Sequence, residues 1–193
     1  ARPPIEAVAL PRDRIRELEL HMMLFYTGIT RTASNVVASY IGALDQKRRQ
    51  LRVMQDLVDE GFKTLTSNAI IAEFGKLLHE NWQVKRELGE KISNPHVDEI
   101  YAAAIDAGAI GGKLSGAGGG GFMNLLVPPA KQPAVLQRLS RLVHVPFEFE
   151  PSGSQIIFFE PEEDYSGAER ARAAQNITPF RELDAGRAKE GRA

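Results

Sequence analysis

Between Gly111 and Phe122 the chain reads Gly-Gly-Lys-Leu-Ser-Gly-Ala-Gly-Gly-Gly-Gly-Phe, with seven glycines in twelve residues. Glycine loses more conformational freedom on folding than any other residue, so such density needs a structural return. Two returns exist: torsions closed to other residues, and close approach of the backbone to a ligand or to another segment. At least one of Gly118, Gly119 and Gly120 is therefore expected to have a positive φ or to touch another backbone. A tight hairpin packed on neighbouring backbone, without a ligand, meets the same requirement.

The surroundings of the run narrow the possibilities. Gly116 to Gly121 matches the dinucleotide fingerprint G-x-G-x-x-G in letters, but that fingerprint opens a helix. Here the apolar run Phe122 to Val127 follows and reads as a strand. A protein-kinase glycine loop also lies between strands, but the other motifs of that fold are missing. Gly108 to Lys113 is one residue short of a P-loop, and Leu114 stands where Ser or Thr would bind magnesium. His79-Glu80 begins a zinc-helix pattern that Gln83 breaks, so no metal ligands are assigned. Ser115 lacks the flanking glycines of a nucleophile elbow.

The 193 residues contain no cysteine, which excludes thiol catalysis and disulfides and fits a reducing, cytoplasmic location. Net charge is −1, so no general attraction to nucleic acid or membrane is implied. No apolar stretch is long enough to span a bilayer. The opening Ala-Arg-Pro-Pro is neither an initiator Met nor a secretory signal, and the sequence is read as a piece of something longer.

The periodicities predict an α+β fold. Ile5 to Leu10 reads as an edge strand, Arg12 to Leu20 as a short helix and His21 to Tyr26 as a buried strand. A helical insert over about 32–107 follows. Its apolar stripes are Val36 to Leu44 with Leu51 to Val58, as one long helix or as two with a break near Gly42, then Ile70 to Trp82, then Val97 to Ile105. Asn94-Pro95 supplies a cap and a first-turn proline for the last of these, and Gly108 ends it. Strands at Ala109 to Ser115 and Phe122 to Val127 flank the glycine run. A helix over Pro133 to Leu142 comes next. Strict alternation then places Val143, Val145, Phe147 and Phe149 on one face of a strand, and Gln155 to Phe159 completes a hairpin. This order suits a split βαβ antiparallel sheet with helices on one side. Residues 1–160 are expected to form one domain, with the glycine-loop sheet over 108–160 and a charged tail over 161–193.

The segment from Lys113 to Gly121 resembles the third signature motif of the GHMP kinases, which include galactokinase, homoserine kinase and mevalonate kinase. The matching positions are Lys113, Ser115, Gly116, Ala117, Gly118, Gly119, Gly120 and Gly121, while Phe122 stands where several members carry cysteine. The resemblance implies a ferredoxin-like carboxy-terminal domain whose glycine loop lies beside the phosphates of ATP, with magnesium as the accompanying ion. Leu24 to Arg31, Phe74 to Lys85 and Ile92 to Pro95 resemble a sugar-kinase branch of that family whose members phosphorylate heptose 7-phosphate. The implied reaction transfers the terminal phosphoryl group of ATP to the anomeric hydroxyl of that sugar phosphate.

A substrate that already bears a phosphate needs cationic partners. Thr30 and Arg31, in the loop after a buried strand, and His79, Trp82 and Lys85, three residues apart along a helix, are the candidate contacts. Trp82 as core and the others as surface residues is the alternative. The family's phosphate-binding Gly-Ser loop and its catalytic aspartate belong to an amino-terminal half that this sequence does not resemble. No general base is named, and that half is expected as a partner. Another small alcohol as substrate, or a non-catalytic small-molecule binding module of the same fold, stays open at this point.

Overall fold

A computed structural model describes residues 8–30, 33–150, 153, 155–156 and 164–174. The chain divides into two compact units, Ala1–Phe149 and Glu150–Ala193. In the second unit the described helix is Ser166–Ala173, which starts where Ser166 N donates to Asp164 Oδ1 at 2.9 Å.

The first unit opens with α1 (Arg12–His21) and β1 (Met22–Tyr26). The helical insert contains α2 (Ala33–Ala38), a 3₁₀ segment (Ile41–Lys47), α3 (Arg48–Thr66), α4 (Ile71–Arg86) and α5 (Pro95–Asp106). The chain then forms β2 (Gly111–Leu114), β3 (Phe122–Leu126), α6 (Gln132–Arg138) and β4 (Val143–Val145). The helix of the second unit is α7.

The sheet order is β2-β3-β1-β4, with every neighbouring pair antiparallel. β1 and β2 therefore run the same way with β3 inserted between them, which is the split βαβ arrangement expected from the sequence. Register decides the faces. Met23 and Phe25 of β1 pair with Leu125 and Met123 of β3, and all four are buried under α4, α5 and α6 with Trp82, Ile92, Val97 and Leu139. Burying each such side chain contributes about 1.5–3 kcal/mol before entropy is charged.

β2 is an edge strand, and α4 covers it. The approach is close because both partners are glycines. A Cβ on Gly75 would lie 2.8 Å from Ile110 Cγ2, and one on Gly111 would collide with the Gly75 carbonyl oxygen and sit 2.8 Å from His79 N. The sequence reads Gly111 as part of a glycine run; its local reason is the helix lying on it.

Several elements depart from expectation. Val8 to Leu10 form no strand, and the rest of the expected first strand lies outside the described residues. Likewise Gln155 and Ile156 are not in a strand, and Ile157 to Phe159 lie outside the described residues. The stripe from Val36 to Leu44 is interrupted earlier than Gly42, after Ala38. α6 stops at Arg138 rather than running to Leu142. β4 ends at Val145 because Pro146 has no N–H to give the ladder. Its parity is also the reverse of that expected. His144 pairs with Phe25 and turns its ring to that core ring at 5.1 Å, whereas Val143 is 62% exposed. Beyond the proline, Phe147 and Phe149 meet edge to face at 5.9 Å. Alternation fixes that two sets of residues part company, but the register with β1 fixes which set faces the core.

Candidate functional site

The loop from Ser115 to Gly121 joins β2 to β3 and is closed at its base by Ser115 N donating to Phe122 O at 2.8 Å. Gly116, Gly118, Gly119 and Gly121 all have positive φ, at 69°, 108°, 76° and 89°. Gly118 and Gly120 meet backbone: a Cβ on either would lie 2.6 Å from the carbonyl oxygen of Ile92 or Ile29 respectively. Both reasons for glycine expected from the sequence thus operate in one loop. They are satisfied by the protein itself, so glycine density alone does not demonstrate a ligand.

Three segments clamp the loop. Gly119 N donates to Ile92 O at 2.8 Å, and Asn94 Nδ2 donates to Gly119 O at 3.0 Å. On the other side Gly121 N donates to Ile29 O at 2.8 Å, while Thr27 gives both N and Oγ1 to Gly121 O, each at 2.9 Å. From α4, Lys85 Nζ donates to Gly116 O at 2.6 Å. The amides of Gly116, Ala117 and Gly118 have no acceptor among the described residues. A row of free N–H groups in a glycine turn is a ready anion contact.

Asn94 does two jobs. Its Oδ1 accepts from Val97 N at 3.1 Å as the cap of α5, and its Nδ2 holds the loop. Asn94→Ala is expected to cost about 1–3 kcal/mol, and Asn94→Asp, which keeps the cap acceptor alone, about half of that. Urea midpoints check this; equal midpoints for Asn94→Asp and the parent chain would remove the clamp from the account.

Other candidate residues separate into groups. Lys113 lies opposite Asn124 in the β2–β3 register, and Asn124 Nδ2 donates to Ser115 Oγ at 2.5 Å. Lys113, Ser115 and Asn124 therefore share the sheet face at the root of the loop. The Lys85 ammonium is held down to about 8, first by burial and then by the charge of Lys113. Thr30 is exposed after β1, in the same loop as Thr27 and Ile29, and Arg31 lies outside the described residues.

Trp82 is corrected. It is 0% exposed, packs against Tyr101 and presents no surface to a substrate. His79 is half-buried and tied inward, its Nδ1 2.9 Å from Tyr101 Oη. The Gly112 amide of β2 also acts on that hydroxyl. Burial pushes the Tyr101 phenol up to about 12, against the smaller opposing pulls of the Gly112 amide and Arg86. This relay ties α4 and α5 to β2.

Thr27, Ile29 and Ile92 were not singled out from the sequence. Thr27 gave one signal, a hydroxyl at the end of a buried strand just before Gly28. Ile29 and Ile92 act through their carbonyls, which leave no mark on a side-chain pattern.

Residues 68–144, which hold α4, α5, the glycine loop and α6, match the family model described as GHMP kinases C terminal. That segment is similar to a GHMP kinase carboxy-terminal domain. D-glycero-alpha-D-manno-heptose 7-phosphate kinase of Campylobacter jejuni is 35% identical over 128 residues, 65% of this chain and 37% of that protein. The mevalonate kinase of Pyrococcus horikoshii is 33% identical over 119 residues, 58% of this chain and 35% of that protein. Among solved structures, the Methanococcus jannaschii mevalonate kinase superposes with a TM-score of 0.57 at 24% identity, covering 68% of this chain and 41% of that one. The chain spans about a third of the length of each of these two curated relatives. The family match begins after β1, yet β1 lies inside the sheet and its exit loop holds Gly121.

Proposed function

We propose that this domain is the carboxy-terminal part of an ATP-dependent kinase for a sugar phosphate, with heptose 7-phosphate phosphorylated at its anomeric hydroxyl. The observation that carries the reading is the glycine loop. It is held rigidly from three sides, and it offers amide donors beside Lys85 in a domain similar to the carboxy-terminal domain of the GHMP kinases. Preorganised donors are what phosphoryl transfer asks of a protein, because positioning and charge stabilisation supply most of the acceleration. In the reaction the acceptor oxygen forms a bond to the terminal phosphorus of ATP. The bond from that phosphorus to the bridging oxygen breaks, ADP departs, and the hydroxyl proton passes to a base.

The heptose reading draws on the Campylobacter relative and on the loop after β1, where Thr30 and Arg31 are the proposed sugar-side contacts. The mevalonate kinase relatives favour a different alcohol and make the second reading. Magnesium does not fit these residues. Among the described residues no three His, Asp or Glu side chains gather to hold a metal, and the groups at the loop are cations and N–H donors. No magnesium ligand is therefore assigned to this chain. No helix among the described residues is long and apolar enough to cross a membrane.

The deciding experiment uses the complete enzyme with heptose 7-phosphate, mevalonate and homoserine in parallel. Heptose 7-phosphate is expected to give a kcat/KM about 10² or more above the others, since a site built for polar groups rejects ligands that leave them unpaired. Arg31→Ala should raise KM for the sugar phosphate about tenfold with little change for ATP. Mevalonate turned over as efficiently as the heptose would replace the substrate assignment.

A further inference from the structure

α3 carries an apolar row that the fold leaves in solvent. One face of the helix packs on α4, where Gly61 is buried against the Phe74 ring. Leu51, Val58 and Phe62 lie off that face and are 39%, 60% and 45% exposed. Steps of seven and four residues place them in one line along the helix. Single exposed apolar side chains are ordinary, but a continuous row of them marks a contact surface. Val58 and Phe62 also border a groove toward α4, lined by Leu57, Leu77 and Leu78. The charges of α3 are a second, independent observation. Arg48, Arg49 and Arg52 occupy its first turns, and Asp56, Asp59 and Glu60 follow them. The helix dipole favours the opposite order, acidic first and basic last. An antiparallel second helix of the same sequence compensates this, because it brings an acidic stretch beside each basic one.

We propose that α3 pairs antiparallel with α3 of a second copy of this chain across a twofold axis. Such an axis makes the contact self-complementary, so each favourable pair occurs twice. With Arg52 set opposite the partner's Asp59, Leu51 falls between the partner's Val58 and Phe62, and Gln55 falls beside the partner's Asp56. Arg52 and Asp59 are both exposed and take part in none of the ion pairs among the described residues. The same register sets Arg48 opposite the partner's Lys63, but Asp45 and Glu60 already neutralise these two within each chain. A parallel pair would instead place arginine beside arginine. The contact is one helix face wide, which suits a weak, reversible dimer rather than a permanent one. The proposal does not depend on the substrate reading above.

Sedimentation equilibrium of the 193-residue chain is the test. A monomer–dimer equilibrium is expected, with a dissociation constant on the order of 10–100 µM. Arg52→Glu alone, or Asp59→Arg alone, sets like charges together at two places and should weaken the dimer about tenfold or more. The double variant restores opposite charges and should return to within about threefold of the parent chain. Phe62→Ser removes apolar area without adding charge and should weaken the dimer about tenfold. All three positions are exposed, so thermal midpoints should stay near that of the parent chain. A chain that remains monomeric at about 1 mM overturns the proposal. A dimer that both single charge variants leave intact does so too, and so does a double variant as weak as either single one. A chain monomeric by itself that binds a separately made amino-terminal part, and loses that binding in Arg52→Glu, gives the face to that part and not to a second copy. No catalysis is measured, so an inactive complete enzyme would sink the kinase reading without touching this result.

Discussion

Gly111→Ala is expected to cost about 3 kcal/mol or more, enough to unfold much of a marginally stable domain. The added methyl has nowhere to go. It would collide with the carbonyl oxygen of Gly75 and stand 2.8 Å from His79 N, and both are backbone atoms of α4 that no rotamer change can move. Relief requires lifting α4 from β2. That would loosen Trp82 and Leu78 from their packing and draw Lys85 away from Gly116. Gly42→Ala is the matched control, because a Cβ there meets nothing within 4 Å and the residue is exposed in the 3₁₀ segment. That control should be neutral or stabilise by about 0.4–1 kcal/mol through the unfolded chain. Denaturant midpoints of the two variants measure the difference. Midpoints that agree would mean that α4 and β2 separate at little cost, and the tight helix–strand contact would lose its place in the fold.

The same contrast shows what the sequence could and could not tell. β1 and α5 were legible because local chemistry sets them: a compact apolar run bounded by Thr27-Gly28, and an Asn-Pro cap ahead of a helical stripe. The glycine loop was legible as a feature because so many glycines demand an explanation. Its particular reasons were not, since they lie in the carbonyls of Ile29 and Ile92, 91 and 26 residues distant from Gly120 and Gly118. Trp82 illustrates the opposite error. Spacing along α4 groups it with His79 and Lys85, but helical position alone does not say which neighbours cover a face, and β2, β3 and α5 cover this one. Lys85 was singled out as a cation for a sugar phosphate. The crossing of α4 over β2, which only the folded chain reveals, brings its ammonium to Gly116 O.

Supplied with magnesium-ATP and heptose 7-phosphate, this chain by itself is expected to form no bisphosphate above background. Phosphoryl transfer requires the nucleotide in line with the acceptor, neutralised phosphate charge, and a group that orients or deprotonates the hydroxyl. In the proposed reading the glycine loop and Lys85 would meet part of the second requirement. The third is missing from the contacts seen here: Asp98, at the start of α5 near the clamp, accepts from Ser93 Oγ at 2.6 Å and lies 3.6 Å from Arg86, and no carboxylate bonds the loop among the described residues. Loss of a general base costs about 10²–10⁴ in rate. Loss of in-line positioning costs more, since oriented reactants reach effective molarities of about 10⁵–10⁸ M. Relatives that carry the reaction in their names are nearly three times the length that this chain covers, which fits a site assembled from two parts. Bisphosphate formation is measured for the chain alone, for the amino-terminal part alone, and for the two mixed. Turnover should appear in the mixture. Turnover by this chain at a rate comparable with the complete enzyme would overturn the two-part site and place the missing base among residues 1–193.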